Sequence, residues 1–124
     1  VLLTGPTGVG KTTIVEQLAS RVNQELLRIN FNSETRLSDL LGNVQVVNGE
    51  TKWVDSVLPI AMKNGYWLLL DEMDVADPSI LALLHPVLEE NSCLVLKENN
   101  GEVIKPHPNF RVFATANSIG AMSD

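Results

Sequence analysis

Gly5-Pro6-Thr7-Gly8-Val9-Gly10-Lys11-Thr12 is the stretch on which the reading of this 124-residue chain turns. Its spacing is G-x-x-x-x-G-K-[ST], the pattern of a loop that cradles phosphate. Gly5, Gly8 and Gly10 have no Cβ, so the backbone can take positive φ and approach an anion closely. The N–H groups from Gly8 to Thr13 can then converge as an anion nest at a helix N-terminus. Lys11 supplies a point charge for the β- and γ-phosphates. The Thr12 hydroxyl is a hard oxygen suited to the Mg²⁺ that accompanies them. The candidate nucleotide contacts are therefore Gly5, Pro6, Thr7, Gly8, Val9, Gly10, Lys11, Thr12 and Thr13.

The neighbours of the loop sharpen its meaning. By composition alone the pattern arises in roughly 1 in 200 chains of this length. Here Val1-Leu2-Leu3 precedes it as an apolar, strand-like run. After it, Ile14, Val15, Leu18 and Val22 recur at helical spacing, which predicts a helix from about Lys11 to Val22 with those four facing the core. Strand, glycine loop and helix are the context the motif requires.

Further along, Leu26 to Phe31 reads as a strand, nearly continuous in apolar residues, as in a sheet covered on both faces. Leu37, Leu40 and Leu41 suit a short helix capped by Thr35 or Ser38 and closed by Gly42. Val44–Val47 and Thr51–Val54 flank Asn48-Gly49, the pattern of a β-hairpin. Ser56 to Asn64 predicts a helix with Pro59 in its first turn and Gly65 as its stop. Tyr66 to Glu72 is the most hydrophobic strand. Asp77-Pro78 opens another helix, which Pro86 should kink or shorten. Cys93–Leu96 and Glu102–Ile104 form a second hairpin around Glu98 to Gly101, and Phe110 to Asn117 is a last strand. Alternating strands and helices predict an α/β sandwich with a parallel sheet, interrupted by two inserted β-hairpins.

In such sheets ligands bind outside the carboxyl ends of the strands. The glycine loop, Asp71-Glu72 and Asn117 all fall there. Asp71 and Glu72 follow Leu68-Leu69-Leu70, the Walker B pattern. Adjacent strand residues point to opposite sides, so the two carboxylates are expected to serve different targets. Asp71 is assigned to the Mg²⁺ shell and Glu72 to orienting and deprotonating water. The Asn117 amide suits the γ-phosphate and the same water. His85, His107, Trp53 and Trp67 are read as structural or surface residues, Cys93 as a small core residue, and Asp74 has no assigned chemistry.

Bulk properties set limits. Forty-four per cent hydrophobic and 19% charged residues describe a globular chain. The formal charge of −6 argues against a DNA-coating surface, so nucleic acid is not an expected partner. No apolar run reaches the roughly 20 residues of a membrane span. A single cysteine forms no internal disulfide, and a reducing cytoplasm is the expected setting. Because the chain opens inside an apolar run, it reads as part of a longer protein.

With Gly5–Thr12, Leu69-Leu70-Asp71-Glu72 and Phe113-Ala114-Thr115-Ala116-Asn117 in place, the chain resembles an AAA+ ATPase of the dynein-related or MoxR-type branch. Arg28-Ile29-Asn30, Asp39-Leu40-Leu41-Gly42, Trp53-Val54-Asp55 and Gly65-Tyr66-Trp67 are similar to midasin-type modules, for which a nuclear setting is also open. Lys105 to Asn117 is similar to the cobaltochelatase ATPase subunit. Midasin and MoxR members carry glutamine before the asparagine, where this chain has Ala116. The resemblance spans residues 1–124. It implies a P-loop three-layer αβα core running from Walker A to sensor 1 and lacking the helical lid. Lys11, Glu72 and Asn117 would be catalytic, and Thr12 and Asp71 would hold the metal. The resemblance also implies ATP and Mg²⁺ as cofactors, self-association into a ring, such as a hexamer, with an arginine finger in trans, and a protein client. Metal-chelatase, nucleotide-gated binding and GTP-dependent motor readings remain open beside it.

Overall fold

The computed structural model describes residues 2–4, 9–90 and 93–116. Four parallel strands form its main sheet: β1 (Leu2–Thr4), β2 (Leu26–Asn30), β5 (Trp67–Asp71) and β8 (Arg111–Ala116). Their order is β1-β8-β5-β2, with Leu2 opposite Ala114, Leu70 opposite Ala114 and Arg28 opposite Leu69. The strands run the same way, so Thr4, Asn30, Asp71 and Ala116 end at one edge of the sheet.

Side-chain alternation divides the sheet into two unlike faces. Leu68, Leu70, Val112 and Ala114 join the main core with Leu58, Ala61 and Met62 of helix α3 (Val57–Asn64) and Ile80, Leu84 and Val87 of helix α4 (Pro78–Glu90). On the other face lie Arg28, Leu69, Phe113 and Thr115, against helix α1 (Val9–Arg21), which packs on β5 and β8. The result is the three-layer sandwich expected from the alternation of elements.

The packing of α1 corrects the expected stripe. Only Val15 of the four predicted residues is buried; Ile14, Leu18 and Val22 are 53%, 44% and 60% exposed. The helix instead turns Thr12, Val15 and Ala19 to the sheet, at spacings of three and four. These are small or β-branched side chains, so the helix axis can lie close to the strands. That rotation is what brings the Thr12 hydroxyl to the β5 edge.

Strand β2 also departs from its reading. Leu26, Leu27 and Ile29 are half-buried and Arg28 and Asn30 exposed, rather than all being covered on both faces, because β5 is its sole partner in the described sheet. Short helix α2 (Leu37–Leu41) starts at Arg36, whose N–H donates to Asp39 Oδ2 at 2.8 Å. Thr35, expected as the cap, accepts instead from the Asn32 N–H at 2.9 Å.

The first hairpin, β3 (Gly42–Val47) with β4 (Glu50–Asp55), turns at Asn48 and Gly49, both at positive φ as a two-residue turn of this sequence requires. Ser56 clamps its base: the N–H donates to Leu41 O at 3.2 Å and the hydroxyl to Asp39 O at 2.7 Å. The second hairpin pairs β6 (Leu94–Leu96) with β7 (Glu102–Ile104). Cys93, expected in the core, is exposed at the entrance to β6. Helix α4 continues through Pro86 to Glu90. Among the described residues no helix is long and apolar enough to cross a membrane.

Candidate functional site

Asp71 is the last residue of β5, 4% exposed, and both its carboxylate oxygens are engaged. Oδ1 accepts a short hydrogen bond from the Thr115 hydroxyl on β8. Oδ2 accepts from Arg28 Nη2 on β2 at 2.6 Å and faces Thr12 Oγ1 on α1 at 3.4 Å. Three elements that are distant in sequence thus meet on one carboxylate, held together by the parallel pairing β2-β5-β8 and by the rotation of α1.

This environment sets the ionisation of Asp71. Burial pushes its carboxyl up, but the hydrogen bonds from Thr115 and Arg28, the Arg28 charge and the Thr12 hydroxyl outweigh it. The net effect holds Asp71 below the ordinary carboxylate value, so it is an anion at neutral pH.

Glu72 stands just past the strand end. Its backbone is left-handed, at φ 57° and ψ 46°, and leads into a 3₁₀ turn, Met73–Val75. Glu72 was expected as the last residue of the strand; it lies beyond β5 instead, in the left-handed region. A non-glycine residue in this region is uncommon and costs roughly 1 kcal/mol or more, so the surroundings must hold it. Here the Glu72 N–H donates to Thr115 Oγ1 at 3.0 Å. One buried hydroxyl, 1% exposed, thereby fixes both the Asp71 carboxylate and the Glu72 backbone.

Thr12, Thr13, Glu16, Arg28, Asn30, Asp71 and Glu72 line a cavity of about 350 Å³ at this edge. It contains hydroxyl and carboxylate oxygens, which are the ligand types of Mg²⁺. Cis ligands at about 2.1 Å from one Mg²⁺ are separated by about 3 Å, so the 3.4 Å between Thr12 Oγ1 and Asp71 Oδ2 suits a shared ion. Among the described residues there is no group of three or more His, Cys, Asp or Glu that would hold a metal unaided. The residues present fit the ion.

Of the residues singled out from sequence, the structure brings Thr12, Thr13, Asp71 and Glu72 to one cavity. Val9, Gly10 and Lys11 form the first turn of α1. Gly5, Pro6, Thr7, Gly8, the Lys11 side chain and Asn117 lie outside the described residues. Two participants were missed. Thr115 was read only as one residue of the last strand, and Arg28 only as one residue of the second. The period-two pattern does place Arg28 on the Asp71 face once β2 and β5 are paired, but that pairing is not written in either strand.

A smaller groove elsewhere, about 290 Å³ and lined in part by Leu37, Leu41, Val44 and Trp53, is mostly apolar and lacks this chemistry. His107 serves the fold: its Nδ1 accepts from the Asn109 N–H at 3.0 Å.

Midasin from Dictyostelium discoideum is 39% identical over 121 residues, covering 97% of this chain and 2% of that protein. The aerobic cobaltochelatase subunit CobS from a Sinorhizobium species is 37% identical, over 97% of this chain and 37% of the relative. Protein NorQ from Paracoccus denitrificans is 34% identical, over 94% of this chain and 43% of the relative. The chain thus spans less than half the length of these relatives. A solved structure from Cytophaga hutchinsonii shares the fold, with a TM-score of 0.67 at 23% identity, over 95% of this chain and 34% of that one. The family model described as "AAA domain (dynein-related subfamily)" matches residues 1–124, and this chain belongs to that family.

Proposed function

We propose that this chain is the nucleotide-binding core of an ATPase, which binds ATP with Mg²⁺ and hydrolyses it within the longer protein. The observation that carries the reading is the meeting of the Thr12 hydroxyl and the Asp71 carboxylate in one cavity beside Glu72, where α1 begins. The amides of the loop and of the first turn of α1 bind the phosphate tail, together with the Lys11 ammonium. Thr12 and Asp71 hold the cation. Mg²⁺, when bound, neutralises charge on the phosphates. Glu72 orients the attacking water and takes its proton, and Asn117 hydrogen-bonds that water and the γ-phosphate.

In the assembled protein we further propose a ring, with an arginine from the neighbouring subunit completing each site. Such a residue contributes about 10³–10⁵ in rate in related P-loop enzymes. The two hairpins lie outside the main sheet and contribute no residue to the cavity, and we assign them to contact with a protein client. Similarity to midasin and to the cobaltochelatase subunit is nearly equal, so a general remodelling motor and a chelatase subunit stand side by side.

The test is Glu72→Gln in the full-length protein. ATP uptake measured by calorimetry should persist while steady-state turnover falls by about 10²–10⁴. Turnover at the wild-type rate would remove Glu72 from its role, and no Mg-ATP uptake by the wild type would end the proposal.

A further inference from the structure

The residue that this mechanism leaves unused is Arg28. Its guanidinium lies 2.6 Å from Asp71 Oδ2, and that is the oxygen nearer to Thr12. Oδ1 is committed to Thr115. The metal-facing oxygen and the arginine-bearing oxygen of Asp71 are therefore the same atom. The two side chains are unequal: that of Asp71 is 6% exposed, that of Arg28 46%. The carboxylate is fixed, whereas the guanidinium is at the solvent boundary on a strand with one described neighbour and has room to leave.

We infer that Arg28 and a divalent cation are alternative partners of Asp71 Oδ2, so that the cation enters by displacing a guanidinium. The inference rests on the assignment of Asp71 to the metal. Two positive groups on one oxygen repel each other. A bare cation must break a charge-assisted hydrogen bond to reach Asp71. A cation carried by a triphosphate brings its own anionic oxygens, which offset that loss. The same cavity holds the carboxylates of Glu16 and Glu72, so a displaced guanidinium remains among acids. Arg28 is thus a positioning residue that favours the metal–nucleotide complex over free metal. Nothing in the motif pattern assigns it that part.

The experiment measures Mn²⁺ uptake by the full-length protein without nucleotide, by electron paramagnetic resonance, and Mg-ATP uptake by calorimetry. Arg28→Gln should bind Mn²⁺ about three- to tenfold more tightly than the wild type, the scale of one partly exposed ion pair. Arg28→Met keeps the aliphatic stem and should do the same, which covers the case in which the glutamine variant folds poorly. Arg28→Lys keeps the charge and should stay close to the wild type. Equal or weaker Mn²⁺ uptake in the Gln and Met variants, with normal Mg-ATP uptake by the wild type, overturns this inference alone. Absence of Mg-ATP uptake in the wild type overturns it together with the functional reading.

Discussion

Asp71 and Lys63 each sit at the centre of a charged cluster, and the two clusters differ in what surrounds them. Around Asp71, a nearly buried carboxylate collects one arginine and two threonine hydroxyls from three other elements. Around Lys63 on α3, a 39% exposed ammonium collects Asp55 of the first hairpin at 2.8 Å and Glu102 of the second at 3.0 Å. Trp53 Nε1 adds a hydrogen bond to Asp55 at 2.7 Å. The Lys63 cluster ties the two hairpins to one helix. Its members are wet enough that losing a partner leaves no stranded charge. The Asp71 cluster is different, because each hydroxyl there replaces water that cannot return cheaply. Burial, more than the number of charges, separates a site from a strap.

The contrast is broken most directly at Asp71. Asp71→Asn in the full-length protein should weaken Mg²⁺-dependent nucleotide uptake by about 10–100-fold or more. Lys63→Met should leave that uptake within about twofold, because it touches no residue of the cavity. Calorimetric titration of both variants checks the pair, and comparable losses would erase the distinction.

Thr115→Val comes next. It removes the hydroxyl that serves Asp71 Oδ1 and the Glu72 N–H, and should destabilise by about 1–3 kcal/mol in denaturant unfolding. Thr115→Ser should recover most of the loss along with metal affinity. A valine variant of wild-type stability would show that the hydroxyl is dispensable.

Gly65→Ala probes the base of the strap at similar or smaller size. Gly65 has φ 75°, and an added Cβ would run into the His107 imidazole, so a loss of about 1–2 kcal/mol in a thermal or chemical melt is expected. Lys63→Met itself should cost less than about 1 kcal/mol, the range of exposed ion pairs.

The acid and alkaline limbs sharpen the comparison further. The folded-state value of Asp71 is depressed, so its contribution is present above the unfolded carboxylate value and is lost as pH falls through the folded one. The hydrogen bonds that Lys63 donates to Asp55 and Glu102 raise its value, so its contribution is present below the ordinary value of 10.5 and is lost at higher pH. Stability measured against pH should show Asp71→Asn flattening the acid limb below about pH 4 and Lys63→Met flattening only the alkaline one.

How far the sequence reached can be judged residue by residue. The hairpin turns were legible because Asn48-Gly49 and the Asn100-Gly101 pair encode positive φ locally. Helix α3 was legible from Ser56, Pro59 and Gly65. Misreadings came where two faces of one element were both plausible. On α1 the larger apolar residues Ile14, Leu18 and Val22 were grouped with Val15 in place of Thr12 and Ala19, but close approach to a sheet favours the smaller set. On β2 an apolar run concealed a partly exposed strand, and Glu72 was read as strand although it lies past the end of β5 in a left-handed conformation.

By itself the sequence determined the chemistry at the strand ends: a glycine loop, a hydroxyl, a pair of acids and the order in which they occur. Those follow from residue type and short spacing, which local sterics and hydrogen bonding fix. Only the tertiary structure decided which oxygen of Asp71 faces Thr12, that Arg28 shares it, and that Thr115 holds both acids. Those facts depend on strand order and helix rotation, which arise from packing between segments more than 40 residues apart in the chain.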